Sequence, residues 1–277
     1  MDQEKRLYNL SIPADLDKKN RTEYGKSSSS SESFLYKYCG LDVAILALNE
    51  KRTKLKLRFI EPIFWKDPVE SQIYLAEFPE RIKNKVQKVF ACCVTKDKLS
   101  EAAWITYGYD KTGIGARCVK FSLISRALRN VLAREADRNG YTLYEGDVEY
   151  VDMKQLMTIK DPTSNIYKRF INADFTIETF LHMLLLKRDA YRYENETRFF
   201  LVKKETENNS RTKSHYVDSK VEKEHYVDLE IDIDTVVNKV YHSESCDKAE
   251  IKILQEYYGN KVEASTLYKE RDSLVIP

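Results

Sequence analysis

The sequence predicts a single-domain α+β fold in which helices flank one mixed or antiparallel sheet. Segments typical of strands and of helices follow one another without a regular βαβ rhythm, which favours α+β over parallel α/β architecture. Hydrophobic residues make up 42% of the 277 residues and aromatic residues 12%, which is enough for a real core. Neither glycine-rich phosphate-loop motif is present, so the sequence does not predict a nucleotide cradle of that type.

The N-terminal half carries both patterns in turn. Period-two alternation and runs of β-branched or aromatic residues predict strands. Apolar residues three and four apart, together with a serine cap or a terminal Asn-Gly, predict helices. The elements predicted in this half are, in order, a strand at 34–38, a helix at 41–48, strands at 55–59 and 86–94, a helix at 100–107, a strand at 116–121 and a helix at 122–137.

The C-terminal half continues the mixture of the two element types. It is predicted to contain a strand at 143–151 with a tight turn at Glu145-Gly146-Asp147, and a helix at 176–188 with one apolar face. The string His-Tyr-Val-Asp occurs twice, from His215 and from His225, and predicts the two arms of a hairpin. The other predicted elements are strands at 194–202, 232–241 and 262–268 and a helix at 248–258.

Residues 1–33 are predicted to be a flexible N-terminal extension, with the α+β domain spanning 34–277. The segment is polar and ends in a serine-rich stretch of low complexity, so its composition buries little apolar surface. We therefore expect it to be removable without unfolding the rest. One short apolar piece, Leu7 to Pro13, is open to two interpretations: it docks as a strand, or it binds a partner.

Charge and composition indicate the expected cellular location and the kinds of partner that the chain does not attract. With 46 Lys and Arg against 44 Asp and Glu, the formal net charge of +2 gives no overall field that gathers nucleic acid or anionic membrane. No run reaches the roughly 18 apolar residues of a membrane helix, and the charged N-terminus is unlike a signal peptide. We expect a cytoplasmic protein without a membrane partner. Five scattered cysteines predict reduced, buried thiols, and the four histidines lack metal-ligand spacing, so no metal is predicted.

The segment from Tyr193 to Arg198 is the best candidate for a chemical site. In a strand, Glu194, Glu196 and Arg198 point to one face, with the two carboxylates about 7 Å apart. A carboxylate held by arginine beside a second, free carboxylate is how a site separates the roles of two acids. The alternative is an exposed strand face with a charge ladder of little energetic value.

Two further clusters combine aromatic and polar residues. Trp104 and Tyr107 precede a glycine-containing loop at 111–115, and the pair suits stacking on a planar ring while the loop holds an anion. The alternative is an ordinary helix–strand turn with core aromatics. Asp67 and Glu70 follow Trp65 in a polar turn, for which the alternative is a plain turn.

These clusters, in this order, resemble the large bacterial family catalogued as domain of unknown function twenty-nine seventy-one. The resemblance covers about residues 34 to 270, and its last motif matches best. The family's arginine is replaced by Cys39, and an asparagine by Lys66. The motifs that carry the resemblance are Leu35-Tyr36-Lys37-Tyr38, Trp65 to Glu70, Cys92-Cys93-Val94, Trp104 and Tyr107 before Gly113 and Phe121, and finally Lys187, Tyr191, Tyr193, Glu194, Glu196 and Arg198.

The same order of motifs more weakly resembles ADP-ribosyltransferase toxins and their nucleic-acid-modifying relatives. That resemblance implies NAD as substrate, a toxin or phage-defence role, a nucleic acid or protein as acceptor, and an antitoxin as partner. It implies that Glu196 stabilises the oxocarbenium-like ribose and that Glu194, beside Arg198, orients the acceptor. It further implies that cofactor binding falls to Lys37 with Tyr36, to Trp104 or Tyr107 as the stacking ring, and to Asp67 and Glu70.

Two other functions fit the same residues. A non-catalytic module would bind a nucleotide or a nucleic-acid end through this pocket. A magnesium-dependent nuclease would use the carboxylates around a cation, and the carboxylates available for it are Asp67, Glu70, Glu194 and Glu196.

Overall fold

The computed structural model describes residues 7–10, 33–74, 88–98, 100–108, 117–159, 161–170, 175–204 and 225–265. Together they form a single α+β domain around a mixed, mostly antiparallel sheet, and this confirms the predicted fold class. No helix in these ranges is long and apolar enough to cross a membrane.

The described ranges contain twelve strands, numbered here in chain order. The segments between Val89 and Thr95, and between Glu196 and Lys203, are built almost entirely of buried residues, as expected for central strands. The strands are β1 Leu7–Asn9, β2 Phe34–Gly40, β3 Lys54–Ile60, β4 Val89–Thr95, β5 Cys118–Ile124, β6 Tyr141–Asp147, β7 Glu149–Val151, β8 Leu186–Arg188, β9 Glu196–Lys203, β10 Tyr226–Asp232, β11 Val237–His242 and β12 Val262–Ala264.

The α-helices are mostly short and lie against the sheet. Side-chain capping fixes the start of several: Thr176 and Asp247 each form a reciprocal capping box. The helices are α1 Leu41–Leu46, α2 Pro68–Tyr74, α3 Glu101–Gly108, α4 Ser125–Arg138, α5 Met153–Met157, α6 Asn165–Phe170, α7 Ile177–Met183, α8 Ile233–Val236 and α9 Lys248–Tyr258.

Ten strands share one sheet, whose main path runs β1-β6-β9-β4-β2-β5-β11-β12. The pairs β1–β6 and β11–β12 are parallel and the others antiparallel. Strand β4 pairs with β9 over its whole length, but two strands share its other edge. Strand β2 meets it only at Tyr36 and Thr95, and β3 only at Ile60 and Ala91. The sheet therefore divides between β2 and β3, beside the middle of β4.

The two faces of β9 belong to different cores because side chains alternate along a strand. Phe199 and Leu201 lie in a cluster covered by helix α4, whereas Phe200 and Val202 lie in a cluster covered by helix α7. Arg198 shares the face of Phe200, although it is charged and 1% exposed. This face of the sheet consequently has to accommodate a buried guanidinium.

Four element predictions were wrong in detail, and tertiary contacts explain two of them. Glu145-Gly146-Asp147 forms no turn but lies within β6, paired with β9. Gly146 is needed for close approach, since a Cβ there would lie 2.4 Å from a methyl carbon of Leu185. The helix predicted to Arg188 ends at Met183, because Leu186–Arg188 pairs with β7 as strand β8.

The other two differences lie near Glu194 and Asp232. Strand β9 starts at Glu196, because Glu194 ends a 3₁₀ helix and Asn195 takes a left-handed conformation with φ 39°. The strand predicted at 232–241 begins with the one-turn helix α8 and continues as β11. Of the predicted hairpin, the arm from His215 lies outside the described residues, and the second arm pairs with β3 instead.

The predicted extension contributes a strand to the sheet. Leu7–Asn9 pairs with β6 in parallel, and the Leu10 backbone N–H donates to the carbonyl of Glu145 at 2.7 Å. Leu10 is 5% exposed and packs in the cluster under α7. Docking as a strand is thus the correct interpretation for these residues, while residues 1–6 and 11–32 lie outside the described ranges.

Docking of β1 predicts a stability loss on truncation, contrary to the expectation from composition. A chain beginning at Ser33 should melt at a lower temperature than the full chain. Leu10→Ala alone should lower the free energy of unfolding by about 2 kcal/mol, because it leaves a cavity in a packed core. Leu46→Ala is the control, since Leu46 is 78% exposed and its truncation should cost no more than about 0.5 kcal/mol. Equal urea midpoints for the two variants would show that β1 does not contribute.

Candidate functional site

A buried guanidinium lies at the centre of the candidate site. Arg198 Nε donates to Glu196 Oε1 at 2.7 Å, and one terminal nitrogen donates to Glu70 Oε1. The other terminal nitrogen donates to the backbone carbonyl of Leu184, and the Trp65 ring stacks 4.2 Å from the guanidinium carbon. Each of the three guanidinium nitrogens therefore has an acceptor, as a charge at this depth requires.

A buried ammonium extends the network to a third carboxylate. Lys187 Nζ donates to Glu194 Oε2 at 2.6 Å and to Glu196 Oε2 at 2.9 Å, and it lies 3.8 Å from Glu70. Two cations thus bind three carboxylates, and the five side chains are 10% exposed or less. The predicted alternative of an exposed charge ladder on this strand is wrong.

Local backbone geometry brings Glu194 and Glu196 to the same lysine. The two residues were predicted to share one face of a single strand, but only Glu196 lies in the strand, because Asn195 between them adopts the left-handed region. Glu194 closes the 3₁₀ helix Asp189–Glu194, and Glu196 opens β9 opposite Thr95. Asparagine tolerates this conformation better than most residues, and its side chain donates to Asp97.

The two glutamates differ in their affinity for protons. Burial raises the pKa of Glu196, but Arg198 and Lys187 outweigh burial and hold that pKa well below its usual range. At Glu194 burial prevails over the attraction of Lys187, so the pKa of this carboxyl is raised. Opposite shifts on neighbouring carboxyls are how one site obtains a permanent anion and a proton acceptor.

A small pocket opens beside this network, at the place where β2 diverges from β4. It encloses about 30 Å³. Five of the predicted site residues line it: Tyr36, Lys37, Tyr107, Glu194 and Glu196. The other lining residues, which the sequence analysis did not single out as site residues, are Tyr38, Cys93, Val94, Thr95 and Ala103.

Lys37 bridges the divided edge of the sheet. Its Nζ donates to the backbone carbonyl of Cys93 at 2.7 Å, between the two points where β2 and β3 pair with β4. By alternation its side chain leaves β2 on the face opposite Tyr36 and Tyr38. The ammonium therefore replaces a strand hydrogen bond in the gap as well as lining the pocket.

The remaining predicted residues lie around the pocket in different ways. Asp67 Oδ2 accepts from Arg188 Nε at 2.9 Å, and Glu70 accepts from Arg198. This motif therefore binds the arginines of the site and does not line the pocket. Trp104 is 4% exposed and is not among the pocket-lining residues; it packs in a third cluster with Tyr36 and Tyr38. Tyr107, 40% exposed, is the aromatic of α3 that lines the pocket.

Two contacts of Glu196 come from residues outside the predicted site, although Cys93 belongs to the Cys92-Cys93-Val94 motif. The Tyr150 hydroxyl accepts from the Glu196 backbone N–H at 2.9 Å, and the Cys93 thiol donates to the Glu196 carboxylate. Burial raises the pKa of Cys93 well above its usual value, which makes the thiol a poor nucleophile. Tyr150 and Cys93 come from strands β7 and β4, and only the fold brings them to β9.

The four carboxylates considered for a magnesium site are all engaged by basic residues. Asp67 binds Arg188, Glu70 and Glu196 bind Arg198, and Glu194 binds Lys187. In the part of the chain that the structure describes, no group of three His, Cys, Asp or Glu residues is placed to hold a metal ion. This arrangement gives the nuclease alternative no geometric support.

Comparison of the chain with known proteins identifies no match that would assign a function to this site. No family model, no curated protein and no solved structure matches the chain. The chemistry of the site therefore rests on the side chains themselves: a charged network, a carboxyl with a raised pKa, and a pocket beside both.

The burial of Arg198 predicts a large stability effect. Arg198→Gln leaves Glu70 and Glu196 without their cation and should lower the free energy of unfolding by about 3–5 kcal/mol. Arg58→Gln is the matched control, because Arg58 also binds a carboxylate, Asp228, through two nitrogens but is 54% exposed. It should cost at most about 1 kcal/mol. Similar losses in urea denaturation would show that the Arg198 network does not stabilise the fold.

The lowered pKa of Glu196 predicts a specific loss of stability in acid. A carboxyl whose pKa is lower in the folded state stabilises the fold above its unfolded pKa and loses that contribution as the pH falls towards the folded value. Glu196→Gln should therefore be less stable than wild type at pH 7. The difference should shrink below the usual glutamate pKa of about 4.3. Melting curves between pH 7 and pH 3 measure it, and a difference that stays constant would contradict the assignment.

Proposed function

We propose that the pocket binds the ribosyl end of NAD and that the chain is an ADP-ribosyltransferase-like enzyme of a toxin or phage-defence kind. One observation carries this proposal: Lys37, Tyr107, Glu194 and Glu196 come from three distant parts of the chain and line a single pocket. The order of motifs along the chain, which resembles those toxins and domain family twenty-nine seventy-one, supports it by analogy.

The proposed reaction is the cleavage of one glycosidic bond in NAD. The C–N bond between ribose and nicotinamide breaks, its electron pair leaves with the nicotinamide nitrogen, and positive charge develops on the ribose. Glu196, kept ionised by Arg198 and Lys187, supplies a fixed negative charge near that centre. Its two oxygens are both engaged in ion pairs, so its contribution is electrostatic.

Glu194 suits the second half of the reaction. The acceptor nucleophile forms a bond to the ribose carbon and loses a proton. A carboxylate with a raised pKa at the edge of the pocket is placed to accept that proton. Its partner Lys187 orients it through Oε2. In the proposal, Glu194 acts as the general base and Glu196 stabilises charge.

The size of the pocket sets a condition on ligand entry. Its volume of about 30 Å³ accommodates one or two water molecules, which is less than a nicotinamide ring needs. The Tyr107 side chain forms part of the wall and is 40% exposed. Entry of a planar ring therefore requires Tyr107 to move outward, where its own ring offers a stacking surface.

A second candidate is a non-catalytic module that binds a nucleotide or a nucleic-acid end. The observation in its favour is the saturation of the network: both oxygens of Glu196 and the ammonium of Lys187 are bound within the protein. A site built in this way is rigid and well suited to recognition. It differs from the first candidate in having no turnover.

Release of nicotinamide from NAD tests the proposal. Wild-type protein should release it, faster with a cell extract that supplies acceptors. Glu196→Gln should lower the rate by about 10²–10³, and Glu194→Gln should reduce transfer more than hydrolysis. Glu230→Gln is the control because this glutamate lies on β10, where its side chain is 38% exposed and paired with Lys54. The assay is run well below the melting temperature of each variant.

Each outcome separates the candidates. If no extract supports nicotinamide release, the transferase proposal fails. A rise in melting temperature with NAD or with oligonucleotides, without turnover, then supports the binding module. If Glu194→Gln abolishes cleavage while Glu196→Gln retains it, the activity stands and the two roles are reversed.

A further inference from the structure

A further buried cation, Lys120 on strand β5, lies next to the pocket in addition to Arg198 and Lys187. Lys120 is 2% exposed, and its Nζ donates to the backbone carbonyl of Lys98 at 2.7 Å. Four aromatic rings surround this ammonium. Their centroids lie 4.3 Å from Nζ for Tyr241, 5.4 Å for Tyr36, 5.7 Å for Trp104 and 6.0 Å for Tyr38. Ring faces attract a cation, but they accept no hydrogen bond of the strength that an ammonium makes with oxygen.

Two hydrogen-bond donors in the same cluster are without a partner. Trp104 Nε1 and the Tyr38 hydroxyl are both buried and have no hydrogen-bond partner among the described residues. The two rings meet edge to face with centroids 5.3 Å apart, and each residue is 4% exposed. The backbone of Ser100 partly offsets the effect of burial on the pKa of Tyr38, but it does not complete a hydrogen bond to the hydroxyl.

The charges around Lys120 do not balance it. Among the described residues, Lys98 repels it, and the group that opposes this effect is Cys118, a buried thiol whose own pKa is raised. Asp97, the carboxylate that acts on Tyr38, already accepts from Asn195. This contrasts with Lys187 and Arg198, whose charges are matched by carboxylates a short distance away. A buried ammonium with two unsatisfied donors beside it is costly unless an acceptor completes the cluster.

We propose that Lys120, Tyr38 and Trp104 form a recognition site for an anionic oxygen group, a carboxylate or a phosphate, which reaches them from the pocket past Tyr38. Tyr36 and Tyr38 belong both to this cluster and to the pocket lining, so the two are contiguous. The site goes beyond the proposed function, because binding of an anion here requires no turnover of NAD. It adds a positive group beside a pocket that the carboxylates of Glu194 and Glu196 also line.

Titration of Lys120 supports a pH-dependent affinity. Burial and the charge of Lys98 lower the pKa of Lys120 to about 8, and Cys118 opposes that shift. The other titratable groups facing it, whose pKa values are all raised, are Tyr36, Tyr38, Tyr241 and Cys118. Lys120 is therefore the first group of this cluster to change its charge as the pH rises above 8. Anion binding should weaken as the ammonium becomes neutral.

Fluorescence of Trp104 gives a direct test. The chain has 2 tryptophans, so Trp65→Phe leaves Trp104 as the reporter. Sodium phosphate and sodium acetate are titrated separately at pH 6.5 and constant ionic strength, and each is repeated at pH 9.5. We expect a saturable change in Trp104 emission at pH 6.5 in Trp65→Phe. It should be at least tenfold weaker when Lys120→Met is added to that variant, and at least tenfold weaker in Trp65→Phe alone at pH 9.5. Lys120→Arg keeps the charge and should retain binding.

The two anions distinguish the two kinds of ligand that could supply the anionic group. Tighter binding of phosphate indicates a phosphorylated ligand, and tighter binding of acetate indicates a carboxylic acid. Should Lys120→Met fail to fold, Tyr38→Phe removes one unpartnered donor while keeping its ring, and it should weaken binding. Absence of a saturable change with either anion up to 50 mM would overturn the proposal. So would an equal change in Lys120→Met that is folded by its melting curve.

Discussion

The pairing of Arg198 with Glu196 and Glu70 is the interaction on which the rest of the site depends. A guanidinium that is 1% exposed is tolerable only if each of its nitrogens has an acceptor, and the acceptors come from α2, from β9 itself and from the Leu184 carbonyl. These contacts fix α2 and the turn after α7 against β9. They also leave Glu196 permanently ionised, and Lys187 then joins Glu194 to the same network.

The division of the sheet beside β4 places the pocket. Because β2 and β3 each meet that edge of β4 at one residue pair, the middle of the edge is bridged by the Lys37 ammonium instead of a strand. Side chains of β2, β4 and α3 face one another across this gap. The carboxylates of Glu194 and Glu196 line the pocket, and Tyr38 lines it as well as packing beside Lys120.

Prediction from the sequence succeeded where the signal was local. The amphipathic helix at 248–258 has the predicted bounds, because its pattern lies within the segment itself. It failed where a distant contact overrides the local pattern. Glycine at position 146 is typical of a turn, yet it lies in a strand because it pairs with Arg198 of β9. The Leu185 side chain packs where a side chain at position 146 would be. Trp104, for which both ligand stacking and core packing were open, packs against Tyr38 and Lys120, a contact that no spacing in the sequence indicates.

The sequence by itself determined the α+β class and the absence of glycine-rich phosphate loops, because composition, periodicity and motifs are properties of the chain alone. Only the tertiary structure decided which charges are buried together. Glu194 and Glu196 have the same side chain, and their pKa values move in opposite directions because Arg198 contacts only Glu196. Burial and ion pairing act over a few ångströms, and the fold alone sets those distances.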